Sequence, residues 1–180
     1  MGRLGYLWSG FIAFAVLLAL SVPESLYSHS PPIKALADYV STHVTAIDQF
    51  AAVSDFPATV RVVMSILCLF LPPLFLVQWL VPGFVEWQPD RRVHSRVLLL
   101  GLIVLVLAAF VWLPFVFTLD ADDLANGPRR TRALGLLVHR RFGLGFGAGV
   151  YCVCSTWLLA LLPRALQALL ARRDAPIQAR

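Results

Sequence analysis

The residues able to do chemistry seldom occur at the spacing that chemistry requires. Asp120, Asp122 and Asp123 place three carboxylates within four residues, which suggests a divalent cation. The set lacks the glycine turn and the distal glutamate of a calcium-binding loop, so a solvated helix end is the competing interpretation. The sequence therefore predicts no metal site here.

The cysteines and histidines show no catalytic or metal-binding pattern either. Cys152 and Cys154 are two residues apart, and such side chains point about 200° apart on a helix, so they can neither form a bridge nor share a metal. With Cys68 they lie in apolar stretches, which indicates packing. None of the four histidines has a cysteine or a second histidine at metal-ligand spacing. These patterns predict a protein that is not an enzyme and has no cofactor.

Four glycines occupy alternate positions at the start of the last apolar stretch: Gly143, Gly145, Gly147 and Gly149. A dinucleotide-binding loop would place such glycines between a strand and a helix, whereas these follow a basic segment and open an apolar run. Two small-xxx-small pairs overlap here, and at about 100° per residue they fall on roughly opposite faces of a helix. The pattern predicts a helix packed closely on two sides.

Long apolar stretches must position these residues. The chain of 180 residues is 59% apolar and 14% charged, against about half and a quarter for a globular chain. Every charged residue and histidine lies outside four stretches, residues 4–23, 62–85, 97–119 and 142–163. At about 1.5 Å per residue, each can cross a hydrocarbon core of about 30 Å. The predicted fold class is all-α, a polytopic integral membrane protein with four transmembrane helices in one membrane domain over residues 1–180.

Two of these stretches have distinctive features. The first is interpreted as a retained anchor, with a secretory signal as the alternative, because no small-x-small cleavage pattern follows it and it exceeds the usual signal core. The second contains Pro72 and Pro73, which remove backbone donors and predict a kink. A bent helix packed in a bundle and a broken helix lining a substrate site are both compatible with the two prolines.

The first loop contains an apolar periodicity that predicts one amphipathic helix over residues 32–53. Ser30 is the expected N-cap, and Phe56-Pro57 follows the helix and stops it. The charged residues of this helix are mainly acidic, which does not suit binding to anionic lipid. Packing over the bundle or against a protein partner is therefore one interpretation, and a helix lying in the outer interface is the other.

The basic residues decide the topology only in part. If both termini are cytoplasmic, eight Lys and Arg residues lie on the inner side of the membrane and seven on the outer side, so the count favours neither orientation. The arginines of residues 120–141 are the main group that this orientation places on the outer side. The acidic first loop and the short basic second loop nevertheless favour this orientation, with a basic amphipathic tail over residues 164–180 at the inner surface. The arginines expected at lipid headgroups are Arg91, Arg92, Arg96, Arg164, Arg172 and Arg173.

The function expected from these features is that of a non-catalytic subunit or accessory protein of a larger assembly in a bacterial-type inner membrane. Its partners would be the lipid bilayer and either another membrane protein or further copies of itself. Nucleic acid is not expected, because the arginines flank the spans. The alternatives are a small oligomeric channel or transporter with Gln78 in its lumen, a membrane immunity or regulatory protein, and, last, a lipid-modifying enzyme using His94 or the acidic residues.

Overall fold

The computed structural model describes residues 3–80, 121–127 and 135–173. These residues are almost entirely helical and none of them forms a strand, so the predicted all-α class is confirmed for this part of the chain. Residues 135–138 are also helical. The helices are α1 (Arg3–Ser21), α2 (Ser25–His29), α3 (Pro31–His43), α4 (Ala46–Val53), α5 (Pro57–Leu80), α6 (Ala121–Asn126) and α7 (Arg141–Arg173).

Helices α1, α5 and α7 form a bundle in which α1 runs antiparallel to the other two. Thr59 Oγ1 and Arg141 Nη1 both donate to the Val22 carbonyl oxygen, at 3.3 and 3.1 Å, so the end of α1 lies at the starts of α5 and α7. At the opposite end, the Trp8 and Trp157 rings meet edge to face with centroids 5.8 Å apart. The bundle therefore has one end at Val22, called the cap end below, and a far end at Trp8.

Two described helices are long and apolar enough to cross a membrane. They are α5 over Pro57–Leu80 and the Arg141–Ala160 part of α7, while the apolar part of α1, Gly5–Ser21, is shorter. Helix α5 starts five residues before the predicted stretch, because proline is tolerated in a first turn. The predicted stretch 97–119 lies outside the described residues.

Helix α5 continues without interruption through Pro72 and Pro73, and both prolines are exposed. Proline cannot donate to the carbonyl four residues earlier, which leaves the carbonyl oxygens of Cys68 and Leu69 without their usual helical donors. The two prolines thus lie on the outward side of a single helix.

The prediction of one helix over residues 32–53 is wrong, because α3 and α4 are separate. Val44 has a non-helical backbone, with φ −122° and ψ 80°, and two adjacent β-branched residues, Val44 and Thr45, occupy the break. The turn allows Val40 of α3 and Ile47 of α4 both to be buried. Ser30 precedes α3 as predicted, but its side chain forms no capping hydrogen bond.

The short elements gather at the cap end of the bundle. The Ala121 amide of α6 donates to Gln49 Oε1 of α4 at 2.9 Å, and Ser54 Oγ donates to the Val138 carbonyl oxygen at 2.8 Å. Helices α2, α3, α4 and α6 together with residues 135–138 are called the cap below. The first loop and the described parts of residues 121–140 therefore lie at the same end.

Candidate functional site

One glycine face of α7 packs directly on α1. A Cβ built on Gly145 would lie 2.5 Å from the Val16 Cα and 2.6 Å from the Ala15 carbonyl oxygen. At Gly149 the nearest atoms would be the Ala15 Cβ at 3.0 Å and the Ile12 Cα at 3.2 Å. Because the atoms facing Gly145 belong to the backbone, α1 and α7 can approach this closely only if residue 145 has no side chain.

The opposite glycine face packs on the segment that precedes α7. A Cβ on Gly143 would overlap the Leu137 carbonyl oxygen, and one on Gly147 would lie 3.2 Å from the end of the Leu137 side chain. The four glycines that the sequence singles out thus contact two different elements on two sides of α7. Both of those elements belong to the same chain.

A polar pair joins α5 and α7 toward the far end of the bundle. Gln78 is fully buried, and its Nε2 donates to Thr156 Oγ1 at 3.1 Å. The Thr156 hydroxyl in turn donates to the Cys152 carbonyl oxygen at 2.8 Å, whereas Gln78 Oε1 has no hydrogen-bond partner among the described residues. The amide therefore lies inside a helix interface of one chain, where one of its two N–H donors has a described partner.

This pair predicts effects of opposite sign for two substitutions. Thr156→Val should lower the free energy of unfolding by about 1 kcal/mol, because it leaves the buried Gln78 amide without a partner. Gln78→Leu should be neutral or stabilising, because it also removes the unpaired Oε1. Unfolding in mixed micelles measures both, and the double variant should resemble Gln78→Leu. Equal losses for the two single variants would contradict this account.

Arg141 connects three elements at the cap end. Its guanidinium donates to the Val22 carbonyl oxygen beyond the end of α1, and its Cζ lies 5.6 Å from the centre of the Phe56 ring, just before α5. A cation at the start of α7 opposes that helix's dipole, but the carbonyl groups at the end of α1 carry the opposite partial charge. Arg141 therefore stabilises the point at which all three bundle helices meet.

A second polar cluster attaches the cap to α5 and consists of Tyr27, Asp38, Asp48 and Arg61. The Tyr27 hydroxyl donates to Asp38 Oδ1, and Arg61 Nη1 donates to the Tyr27 oxygen at 3.5 Å. Arg61 Nε lies 3.0 Å from Asp48 Oδ1, but the two atoms are not aligned for a hydrogen bond, so this contact is an ion pair. The cluster joins residues of α2, α3, α4 and α5, and it holds the cap on the bundle through charge and hydrogen bonding.

The polar cluster makes stability depend on pH at the alkaline end. The hydrogen bond to Asp38 and partial burial raise the pKa of Tyr27 above its ordinary value of 10.0. The folded chain therefore holds the phenol proton more tightly than the unfolded chain. This contribution to stability is complete below the ordinary pKa and is lost as the pH rises through the raised pKa.

Tyr27→Phe should lower the free energy of unfolding by about 1 kcal/mol at neutral pH, because it removes the donor to Asp38. As the pH rises from the ordinary pKa of 10.0 through the raised pKa of Tyr27, the parent protein should lose more stability than the variant. Tyr39→Phe is the matched control, since Tyr39 lies exposed on α3. Parallel alkaline profiles for the parent and Tyr27→Phe would refute the assignment.

An apolar cavity of about 120 Å³ lies between α5, α7 and the cap. Its wall includes Phe50 of α4, Met64, Leu67 and Leu71 of α5, and Ala148 and Tyr151 of α7. Cys68 and Cys152 also line it, while Cys154 points to the surface, as expected for positions two apart on a helix.

The remaining predicted residues contribute no described contact to these sites. Arg91, Arg92 and Arg96 lie outside the described residues, and the helical backbone of α7 includes Arg164, Arg172 and Arg173. Asp122 is exposed on α6. Within the described ranges, no group of three or more His, Cys, Asp or Glu side chains could hold a metal ion.

Sequence reasoning did not single out the residues that join the cap to the bundle. Tyr27, Asp38 and Arg61 are separated by up to 34 positions, and nothing in their spacing indicates that they meet. The available signal was positional, because Arg61 and Arg141 directly precede two uncharged stretches. A cation at such a boundary can serve a neighbouring helix end as well as a lipid headgroup.

Comparison with known proteins finds no matching family model, no matching curated protein and no matching solved structure. The described residues define an all-helical protein with two helices suited to crossing a membrane. Any more specific function must therefore be argued from the geometry of this chain.

Proposed function

We propose that this chain is a non-catalytic integral membrane subunit or accessory protein of a larger membrane assembly. Its bundle lies in the bilayer, and its cap projects on one side, where it presents a surface to a partner.

The outward surface of the bundle carries the proposal. Only 33% of the most apolar window of α5 is buried, and 39% of the corresponding window of α7, so neither helix is mostly enclosed by the rest of the fold. The core helix of a soluble protein would be mostly buried. The exposed side chains on the bundle include Phe14, Leu17, Leu20, Leu69, Phe70, Leu76 and Phe146. An apolar surface of this extent is suited to contact with lipid.

The path of the chain supports a four-span topology. Helix α5 ends at Leu80 near the far end, about 36 Å from its start, whereas Ala121 lies beside α4 at the cap end. Leu80 and Ala121 thus lie at opposite ends of the bundle, and we propose that the chain between them crosses the bilayer once more. It contains residues 97–119, which carry no charge and are long enough to span a bilayer. A fourth crossing places both termini on the same side, which we take to be the cytoplasm.

The sites favour an accessory role. The predicted glycine surfaces of α7 contact α1 and Leu137 of the same chain, which leaves the outer face of α3 as the better surface for a partner. There Tyr39 is 67% exposed, and its ring lies 4.6 Å from that of His43. Exposed aromatic side chains are enriched among the residues that dominate binding energy at protein interfaces.

The topology is tested with single cysteines in a variant lacking Cys68, Cys152 and Cys154. Thr42→Cys of α3 and Ala125→Cys of α6 should both react with a membrane-impermeant maleimide in intact cells, because both lie exposed in the cap. A reporter fused to the carboxyl terminus should be active only in the cytoplasm. Labelling of only one of the two cysteines would contradict the shared side, and release of the protein by an alkaline wash would contradict membrane integration.

The accessory role is tested by blue-native electrophoresis after mild detergent extraction. The protein should migrate in a complex larger than the monomer, and Tyr39→Ala should weaken that complex without lowering thermal stability. Leu17→Ala on the outward face of α1 is the control and should leave the complex intact. A monodisperse monomer without a co-purifying partner would overturn the proposal.

A further inference from the structure

The cavity between α5, α7 and the cap has the chemistry of a hydrocarbon site. Its wall contains no charged side chain, and its polar groups are the Tyr151 hydroxyl and the two thiols of Cys68 and Cys152. An apolar cavity of about this size stays dry and takes up small hydrocarbons. A water molecule needs two to four polar partners, and apart from the Tyr151 hydroxyl this wall offers only two thiols, which form weak hydrogen bonds.

The position of the cavity identifies the class of ligand. Leu67 and Leu71 come from the middle of α5, and Ala148 and Cys152 come from the apolar part of α7, so the two helices suited to spanning a membrane form two of its walls. At that depth the surrounding medium consists of lipid chains. The cavity is partly open to the surface, and Leu137, which lines it at the cap side, is 37% exposed.

We propose that this cavity binds one acyl chain of a membrane lipid. A methylene segment fills the space without leaving a polar group unpaired, and it restores the van der Waals contacts that an empty cavity lacks. The bound chain would act as a packing element between α5, α7 and Phe50 of the cap. This inference rests on the proposed location of the bundle in a bilayer.

The test uses the full-length protein in nanodiscs made of phosphatidylcholine with a diazirine near the middle of one acyl chain. Illumination should attach lipid to the cavity positions around Leu67 and Tyr151 more strongly than to the outward positions Leu17 and Leu69. The outward positions serve as an internal reference, because any chain in the bilayer contacts them. Mass spectrometry of the peptides reports both sets from the same sample.

A filling variant tests whether the cavity itself is the site. Ala148→Phe should lower labelling of the cavity positions at least about fivefold and leave the outward positions unchanged. Ala13→Phe on the exposed side of α1 is the matched control and should change neither set. Leu71→Phe adds less volume at the same cavity and replaces Ala148→Phe if that variant does not fold.

The outcomes separate this inference from the proposed function. Labelling at the outward positions without enrichment in the cavity overturns the lipid site alone, as it would if another part of this chain or a second copy filled the space. Cavity labelling that Ala148→Phe leaves unchanged overturns it as well. Absence of labelling at both sets of positions contradicts the membrane location and the lipid site together.

Discussion

Replacing Gly145 with alanine is expected to lower the free energy of unfolding by about 3 kcal/mol. The added Cβ would lie 2.5 Å from the Val16 Cα and 2.9 Å from the Val16 amide nitrogen. Those atoms belong to the backbone of α1 and cannot move aside by rotating a side chain. Relief of the clash requires α1 and α7 to separate, which loses contacts along the whole interface.

Gly10→Ala is the matched control for this substitution. Gly10 also lies in a bundle helix, but a Cβ there meets nothing within 4 Å. The control should be neutral or stabilising by up to about 1 kcal/mol, because alanine favours a helix over glycine. Denaturation in mixed micelles, followed by circular dichroism, compares the two variants under the same conditions.

The other glycines should form a graded series. Gly143→Ala faces the Leu137 carbonyl oxygen and should be severe, whereas Gly147→Ala faces the flexible end of the Leu137 side chain and should be mild. Gly149→Ala should fall between them, since its closest contact is a methyl group at 3.0 Å. If Gly145→Ala behaved like Gly10→Ala, the close approach of α1 and α7 would be wrong.

Replacing Arg141 with methionine is expected to cost about 2 kcal/mol, the second large effect. The change removes a charge-assisted hydrogen bond to the Val22 carbonyl oxygen and a cation–π contact with Phe56. Val22 keeps its hydrogen bond from Thr59, so the carbonyl is not left without a donor. Methionine preserves most of the apolar length of the side chain, and the loss therefore reports the guanidinium.

The neighbouring arginine provides the control. Arg140 is exposed, and Arg140→Met should change stability by less than about 0.5 kcal/mol. Arg141→Lys should recover part of the loss, because it keeps the charge but not the planar set of donors. Equal stabilities of Arg140→Met and Arg141→Met would show that Arg141 does not stabilise the junction of the three helices.

The contacts of Arg61 and Arg141 also bear on the unresolved charge count of the loops. Both count as outside cations when the termini are cytoplasmic, and they make the two sides nearly equal. In the structure, Asp48 neutralises Arg61, and Arg141 is committed to the end of α1. Arginines that are held by contacts within the protein say less about orientation than free cations do. A count that includes Arg61 and Arg141 therefore overstates the number of basic residues that oppose cytoplasmic termini.

Helical class and the location of the apolar helices followed from the sequence. The uncharged stretches 4–23, 62–85 and 142–163 overlap with α1, α5 and α7, because a backbone surrounded by apolar side chains satisfies its hydrogen bonds within a helix. The alternating glycines likewise indicated two close-packed faces. Periodicity failed at Val44, where α3 and α4 keep the same apolar spacing across a break. The spacing of apolar residues indicates which residues are buried. It does not show whether the helix is continuous, because a tight turn can preserve the same spacing.

Tertiary structure alone decided which surfaces meet. The sequence could assign close-packing faces to α7, but it could not state that their neighbours are α1 and Leu137 of the same chain. The Tyr27 to Asp38 hydrogen bond and the cavity beside Ala148 likewise depend on helices distant in sequence. The composition of a segment and the spacing of its apolar residues determine whether it is helical and which side of the helix is apolar, because both depend only on residues close together in the sequence. The choice of partner for each face depends on how all the helices pack at once.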